Sequence, residues 1–188
     1  MPPEIDALPA KTLICHPANT APAVLAIDVS ASFADDGALV LRYRIVAAPG
    51  ALRLPPPQAP GPADNLWQHT CCEAFIATVN GPEYHEFNFS PSGQWAAYRF
   101  SDYRQRDAAF QPATAPAIEV DCLADCLELG VRLDSALLPA GQCLQLSLTA
   151  VIEAADGSKS YWALRHAAAQ PDFHLRQSFA LTLPRNTP

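Results

Sequence analysis

Proline and glycine decide what this chain can build. Nineteen prolines and eight glycines are spread through 188 residues, and no window between them sustains a helical apolar repeat for three turns. The intervals are short runs of alternating or β-branched and aromatic character: 13–15, 24–33, 38–46, 67–79, 84–90, 94–100, 127–133, 144–153, 160–165 and 174–183. Only 135–138 reads as a single helical turn. Many short strands joined by Asn-Gly, Ser-Gly and Asp-Gly signals predict an all-β chain, an antiparallel β-sandwich rather than a βαβ fold. Two stretches break the rhythm: 48–65, too rich in proline for a central strand, and 101–119. Both read as long surface loops, either rims of a binding mouth or plain solvated crossovers. A single domain over 1–188 is expected at this length.

The stretch 66–100, LWQHTCCEAFIATVNGPEYHEFNFSPSGQWAAYRF, carries most of the chemistry. A two-residue turn at Asn80-Gly81 puts Glu73 opposite Asn88, Phe75 opposite Glu86 and Cys71 opposite Ser90. The alternate residues Cys72, Ala74 and Ile76 then meet Phe89, Phe87 and His85 on the reverse face. A second two-residue turn at Ser92-Gly93 would set Arg99 against Glu86, Ala97 against Asn88 and Trp95 against Ser90. One face then gathers Trp67, His69, Glu73, Glu86, Asn88, Trp95 and Arg99 around a small alanine. Carboxylate, amide and guanidinium groups beside indole rings suit a polar ligand with an apolar ring face, and sugars have that character.

A later hairpin follows the same alternation. With Asp156-Gly157 as the turn, Glu153 faces Ser160, Val151 faces Trp162 and Ser147 faces His166. Leu144, Leu146, Leu148, Ala150 and Ile152 form a continuous apolar row that must be core. Trp162 and His166 are thereby expected on the opposite, polar face. Asp36-Gly37 is a further Asp-Gly hairpin.

Composition narrows the partners. Net charge is −7 with 16% charged residues, which argues against nucleic acid or an anionic membrane surface. No run of about 18 apolar residues is present to cross a bilayer. MPPEIDALPAK has neither the basic start nor the apolar core of an export signal, so a cytoplasmic protein is expected. Its six cysteines (15, 71, 72, 122, 126 and 143) are then expected to be reduced thiols. Cys122 and Cys126 are spaced for one helical turn but not for a zinc knuckle, and no metal is expected.

The blocks LWQHTCCEAFI, YHEFNFSPSGQWAAYRF, YWALRH and PDFH resemble the bacterial DOMON-like proteins related to family 9 carbohydrate-binding modules, over nearly the whole chain. The resemblance implies a β-sandwich of jelly-roll type that binds a sugar or, in other branches, haem. It implies a terminal sugar gripped between tryptophans, with Glu, Asn and Arg side chains on its hydroxyls. On that basis the expected function is a non-catalytic module for a carbohydrate or sugar-like metabolite. Trp95 and Trp162 are the first stacking rings and Trp67 the third; Glu73, Glu86, Asn88, Arg99, His69 and His166 are the polar contacts, with no cofactor.

Three alternatives accompany it. The same face, with Trp67, Trp95, Tyr98 and Arg99, would serve as a protein-interaction surface. A haem would need His69 and His166 as axial pair, since the only methionine is Met1. A sugar-acting enzyme would use Glu73 and Glu86 as paired carboxylates. Glu86 with Arg99 also reads as a plain cross-strand ion pair. Pro171-Asp172 reads as a turn, and His85 as a structural histidine on the core side.

Overall fold

Alternation along the strands sorts the side chains into two facing sheets. The computed structural model describes residues 9–185; the segment read for an export signal lies, through residue 8, outside the described residues. Its strands are β1 (Lys11–Thr12), β2 (Ile14–Cys15), β3 (Val24–Phe33), β4 (Leu39–Ala47), β5 (Gly61–Pro62), β6 (Cys71–Thr78), β7 (Tyr84–Phe89) and β8 (Gln94–Asp102). They continue with β9 (Gln105–Arg106), β10 (Ala117–Cys122), β11 (Cys126–Leu133), β12 (Cys143–Glu153), β13 (Lys159–Ala163) and β14 (Leu181–Pro184). Short 3-10 turns occupy Leu66–Gln68, Ser135–Leu137 and Arg176–Ser178. One sheet runs β1-β3-β4-β11-β10; the other runs β2-β13-β12-β6-β7-β8-β5, with β14 also on β12 and β9 on β8. All pairings are antiparallel except the two-residue contact of β5 with β8. The result is the expected all-β sandwich, and among the described residues no helix is long and apolar enough to cross a membrane.

The core lies between the sheets. Ile27, Leu39, Leu41, Tyr43, Ile45 and Leu129 from the first sheet meet Ile76, Phe87, Phe89, Leu144, Leu146, Leu148 and Ile152 from the second, all at most 1% exposed. Each such side chain stabilises by roughly 1.5–3 kcal/mol relative to exposure. Tyr43 is admitted because its hydroxyl donates to the Glu73 carbonyl at 2.7 Å.

The second sheet is covered on its outer face as well. Between β13 and β14 the chain crosses that face, laying Phe173 and Phe179 on Phe75, Ala77, Tyr84, Phe100, Val151 and Ala163 as a second apolar cluster. Arg176 fastens the crossing, its Nη2 donating to the Thr78 carbonyl and to Gln145 Oε1, each at 2.9 Å.

Several expected boundaries move. The run 174–183 is not one strand but a 3-10 turn followed by β14, because Ser178 caps a local turn at the Leu175 carbonyl. Residues 117–119, assigned to the end of a loop, open β10, which lies on the edge beside β11. Cys122 and Cys126 flank the β10–β11 turn rather than a helix, with Leu123 N–H bonded to the Cys126 carbonyl at 2.8 Å.

Candidate functional site

Register decides which side chains reach the outer face of the second sheet. The β6–β7 pairing falls where the sequence put it, Glu73 against Asn88 and Phe75 against Glu86. The next hairpin is displaced by one: Phe89 pairs with Trp95, Asn88 with Ala96, Glu86 with Tyr98 and His85 with Arg99. Its loop has three residues, Pro91-Ser92-Gly93, closed by Ser90 N–H to the Gln94 carbonyl at 2.9 Å, with Gly93 at φ 92. That is a type I turn followed by a left-handed glycine. Ala155-Asp156-Gly157 repeats it, closed by Ala154 and Ser158, and so does Asp35-Asp36-Gly37, closed by Ala34 and Ala38. β12 and β13 consequently pair Ala150 with Trp162 and Val151 with Tyr161. A one-residue slip exchanges the faces of a strand.

Four expected site residues are placed elsewhere, Trp162, Trp95 and Arg99 by these shifts of register and His166 because its segment lies beyond the end of β13. Trp162 is in the core, 7% exposed, its indole N–H donating to Ser160 Oγ at 2.9 Å. Trp95, 8% exposed, lies on the face of Phe87 and Phe89. Arg99 also sits on that face; it bonds Asp107 through Nε at 3.0 Å instead of pairing with Glu86. His166 lies off the strand, its Nε2 bonded to the Ile14 carbonyl at 2.7 Å and its ring against His16. His69 is turned to the buried Glu153, 2.7 Å from Nδ1 to Oε2, in a smaller hollow of about 390 Å³. His69 and His166 are thus held by different partners in different places and do not fit an axial haem pair. Among the described residues no group of three or more His, Cys, Asp or Glu side chains could hold a metal ion.

Glu73, Glu86 and Trp67 come together in one cleft of about 840 Å³. Its floor is Glu73, Phe75, Glu86, Tyr98, Phe100, Val151 and Tyr161; Trp67 and Asp64 stand on one side, Pro171–His174 on another, and Arg104 and Arg106 at the β8–β9 end. The ends of both long loops therefore contribute to its rim. Trp67 is 48% exposed, whereas Asn88 is fully buried beneath the floor and donates through Nδ2 to Glu86 Oε1 at 2.9 Å.

The electrostatics follow from burial. Glu73 and Glu86 are 3% and 7% exposed. Desolvation drives the Glu73 carboxyl well above the usual range, and the charge of Glu86 adds to it against a single 3.4 Å contact from Thr149. Burial raises Glu86 too, opposed by the Asn88 hydrogen bond and by Arg104 and Arg106. His174 stands among Phe75, Tyr84 and Phe100, and burial, with Arg104 nearby, lowers it to about 4 against the pull of Asp172. Its Nδ1 is 2.8 Å from Tyr84 Oη, and Nε2 is 3.7 Å from Glu86 Oε2. With Tyr84 donating to Nδ1, the proton sits on Nε2, facing the carboxylate.

The cationic end is held in an uncommon backbone state. Arg104 has φ 53, a left-handed conformation that costs an arginine on the order of 1 kcal/mol. Its N–H donates to Tyr84 Oη at 3.1 Å, and its guanidinium bonds Asp172 at 3.0 Å and Tyr103 Oη at 3.3 Å. Although burial pushes the Asp172 carboxyl up, Tyr103, the His174 N–H and Arg104 together hold it below the usual range. Arg106 lies 4.0 Å above the Tyr98 ring, whose hydroxyl donates to Asp64 at 2.7 Å.

The sequence offered Tyr98 only as part of a protein-interaction face, and missed Phe100, Arg104, Arg106, Tyr161, Asp172 and His174. For two of them a signal existed: Pro91 suits the second position of a type I turn, and a three-residue loop turns Tyr98 and Phe100 outward. Nothing local announces His174, which reaches the cleft from the covering segment.

No family model and no curated protein matches this chain. Among solved structures, the chain is similar to a Bacteroides uniformis protein described as a candidate carbohydrate-binding protein. The likeness has a TM-score of 0.63 at 14% identity and covers 93% of this chain and 85% of that one. At that identity the likeness is one of fold.

Proposed function

We propose that the cleft binds a small carbohydrate or sugar-like metabolite without transforming it. The observation that carries this reading is the joining of the aromatic surfaces of Trp67, Phe75, Tyr98, Phe100 and Tyr161 with buried Glu73 and Glu86 in one hollow. Aromatic faces bury the C–H face of a pyranose, at roughly 25 cal/mol per Å² of apolar area. The carboxyls and the guanidinia of Arg104 and Arg106 then select hydroxyls by direction. The Bacteroides uniformis protein's description supports a ligand-binding sandwich in general terms. A jelly-roll of the DOMON or family 9 type, acting as one domain in the cytoplasm, is the finer form of this reading.

The cleft is concave, and Trp95 and Arg99 are turned away from it, which favours a small ligand over a flat protein-docking face. Isothermal titration against a broad panel of mono- and disaccharides tests the proposal. Saturable heat from one member, reduced at least about ten-fold in affinity by Glu73→Ala, is expected. A panel without heat sinks it.

A further inference from the structure

Four carboxyls (Asp64, Glu73, Glu86, Asp172) but only two guanidinia (Arg104, Arg106) line the cleft. Of these acids only Asp172 is paired with an arginine among the described residues, Asp64 accepts from Tyr98, and the two most buried, Glu73 and Glu86, have neither. Glu73 and Glu86 project from adjacent strands onto the same face, one diagonal step apart. Among the described residues neither forms an ion pair with an arginine or lysine; the one basic group within 4 Å is His174, 3.7 Å from Glu86. Arg104 is engaged by Asp172 and Tyr103, and Arg106 lies over Tyr98. Beside the two acids lies the ring of Phe75, directly opposite Glu86.

Taking carboxylates out of water with no counter-charge is costly, so the pair is met by protons or by a cation. We infer that the ligand supplies that cation: a protonated amine placed between Glu73 and Glu86 against Phe75. With the carbohydrate reading above, on which this rests, the ligand class is an amino sugar. A hydroxyl is served by either protonation state of a carboxyl, acting as acceptor or donor. Only a positive charge is served by both acids ionised and by the negative face of an aromatic ring. The raised affinity of Glu73 for its proton makes the step visible, because an ammonium entering the pair expels that proton. The other groups facing the pair are Asn88 on β7, Thr149 on β12, Tyr98 on β8, Arg104 and Arg106 at the β8–β9 end, Asp64, and Asp172 with His174 on the covering segment.

The test is isothermal titration of the full chain at pH 7 with glucosamine, galactosamine and mannosamine. Their neutral parent hexoses and N-acetyl forms are run beside them, and cyclohexylamine serves as a ring amine without hydroxyls. At least one amino sugar is expected to bind about ten-fold or more tightly than its neutral and acetylated counterparts. Its heat should differ between phosphate and Tris buffers, reporting proton release. Glu73→Gln and Glu86→Gln, checked for folding by circular dichroism, should each shrink the preference to about two-fold or less. Equal binding of the neutral sugar overturns the amine inference and leaves the carbohydrate reading standing. Binding of cyclohexylamine with no sugar binding overturns the carbohydrate reading instead. Absence of binding by every probe overturns both.

Discussion

Glu73 and Asn88 face each other across β6 and β7, and Asn88 donates an amide hydrogen to Glu86 at 2.9 Å while its own buried Oδ1 has no partner among the described residues. A proton on Glu73 would be the natural donor for that oxygen. Asn88 would then separate two acids by donating to one and accepting from the other. Asn88→Asp replaces this arrangement with a third buried acid. The variant is expected to lose roughly 3 kcal/mol of stability at pH 8 and clearly less at pH 4.5, where the new carboxyl takes a proton. Urea unfolding at the two pH values checks it; an equal loss at both would contradict this account.

Burial lowers His174 to about 4, below the ordinary histidine value of 6.5. The unfolded chain therefore binds the extra proton first, and stability is lost as pH falls from about 6.5 toward 4. The share due to this one group is on the order of 2–3 kcal/mol. His174→Gln removes it, so the stability gap between wild type and variant should change across that window and stay flat above pH 7. Thermal melts from pH 4.5 to 8 read it directly.

Glu73 works with the opposite sign. Its carboxyl is raised by burial and by Glu86, so the folded state binds the proton more tightly than the unfolded one. The stability this provides is complete below the unfolded value and is lost as pH rises. Glu73→Gln carries no such loss, and its melting temperature relative to wild type should increase from pH 5 to pH 8. A constant difference across that range would mean that Glu73 is not strained by its burial.

The three tryptophans separate by environment. Trp162→Ala is expected to cost about 3–5 kcal/mol, as for a large core side chain. Trp67→Ala should cost under about 1 kcal/mol, because the indole is half exposed. Any ligand-induced change in tryptophan fluorescence should vanish in Trp67→Phe and persist in Trp95→Phe. Persistence of the signal in Trp67→Phe would place the ligand away from the cleft.

Backbone geometry yields a further contrast. Gly93 has φ 92 in the loop that sets the β7–β8 register, and Gly93→Ala should cost about 1–2 kcal/mol. Gly130 lies within β11, where the methyl of an alanine would meet nothing nearer than Glu119 Cβ, at 3.9 Å. Gly130→Ala should be neutral or stabilise by up to about 1 kcal/mol. Denaturant midpoints for the pair settle the comparison.

The sandwich was legible because period-two alternation and glycine turns are local signals, and the leucine row of β12 leaves one choice for the side that faces the other sheet. The β6–β7 register was legible for the same reason. The faces of Trp95, Arg99 and Trp162 were not: a Ser-Gly or Asp-Gly pair closes either a two- or a three-residue loop, and the difference inverts every side chain beyond it. His174 and Asp172 were illegible for another reason. Their place depends on where a long connection crosses the sheet, which aromatic contacts far apart in sequence decide.

That connection leaves from β13 and returns as β14, and both strands are zipped to the same partner, β12. The wall of the cleft is thus a handle riveted at each end to a single bar. Exchanging the span 167–175 for one that keeps an aromatic in the place of Phe173 would re-tailor what the hollow accepts while the core between the two sheets, which this span does not enter, keeps its own packing, a separation that makes this scaffold suited to selecting new specificities.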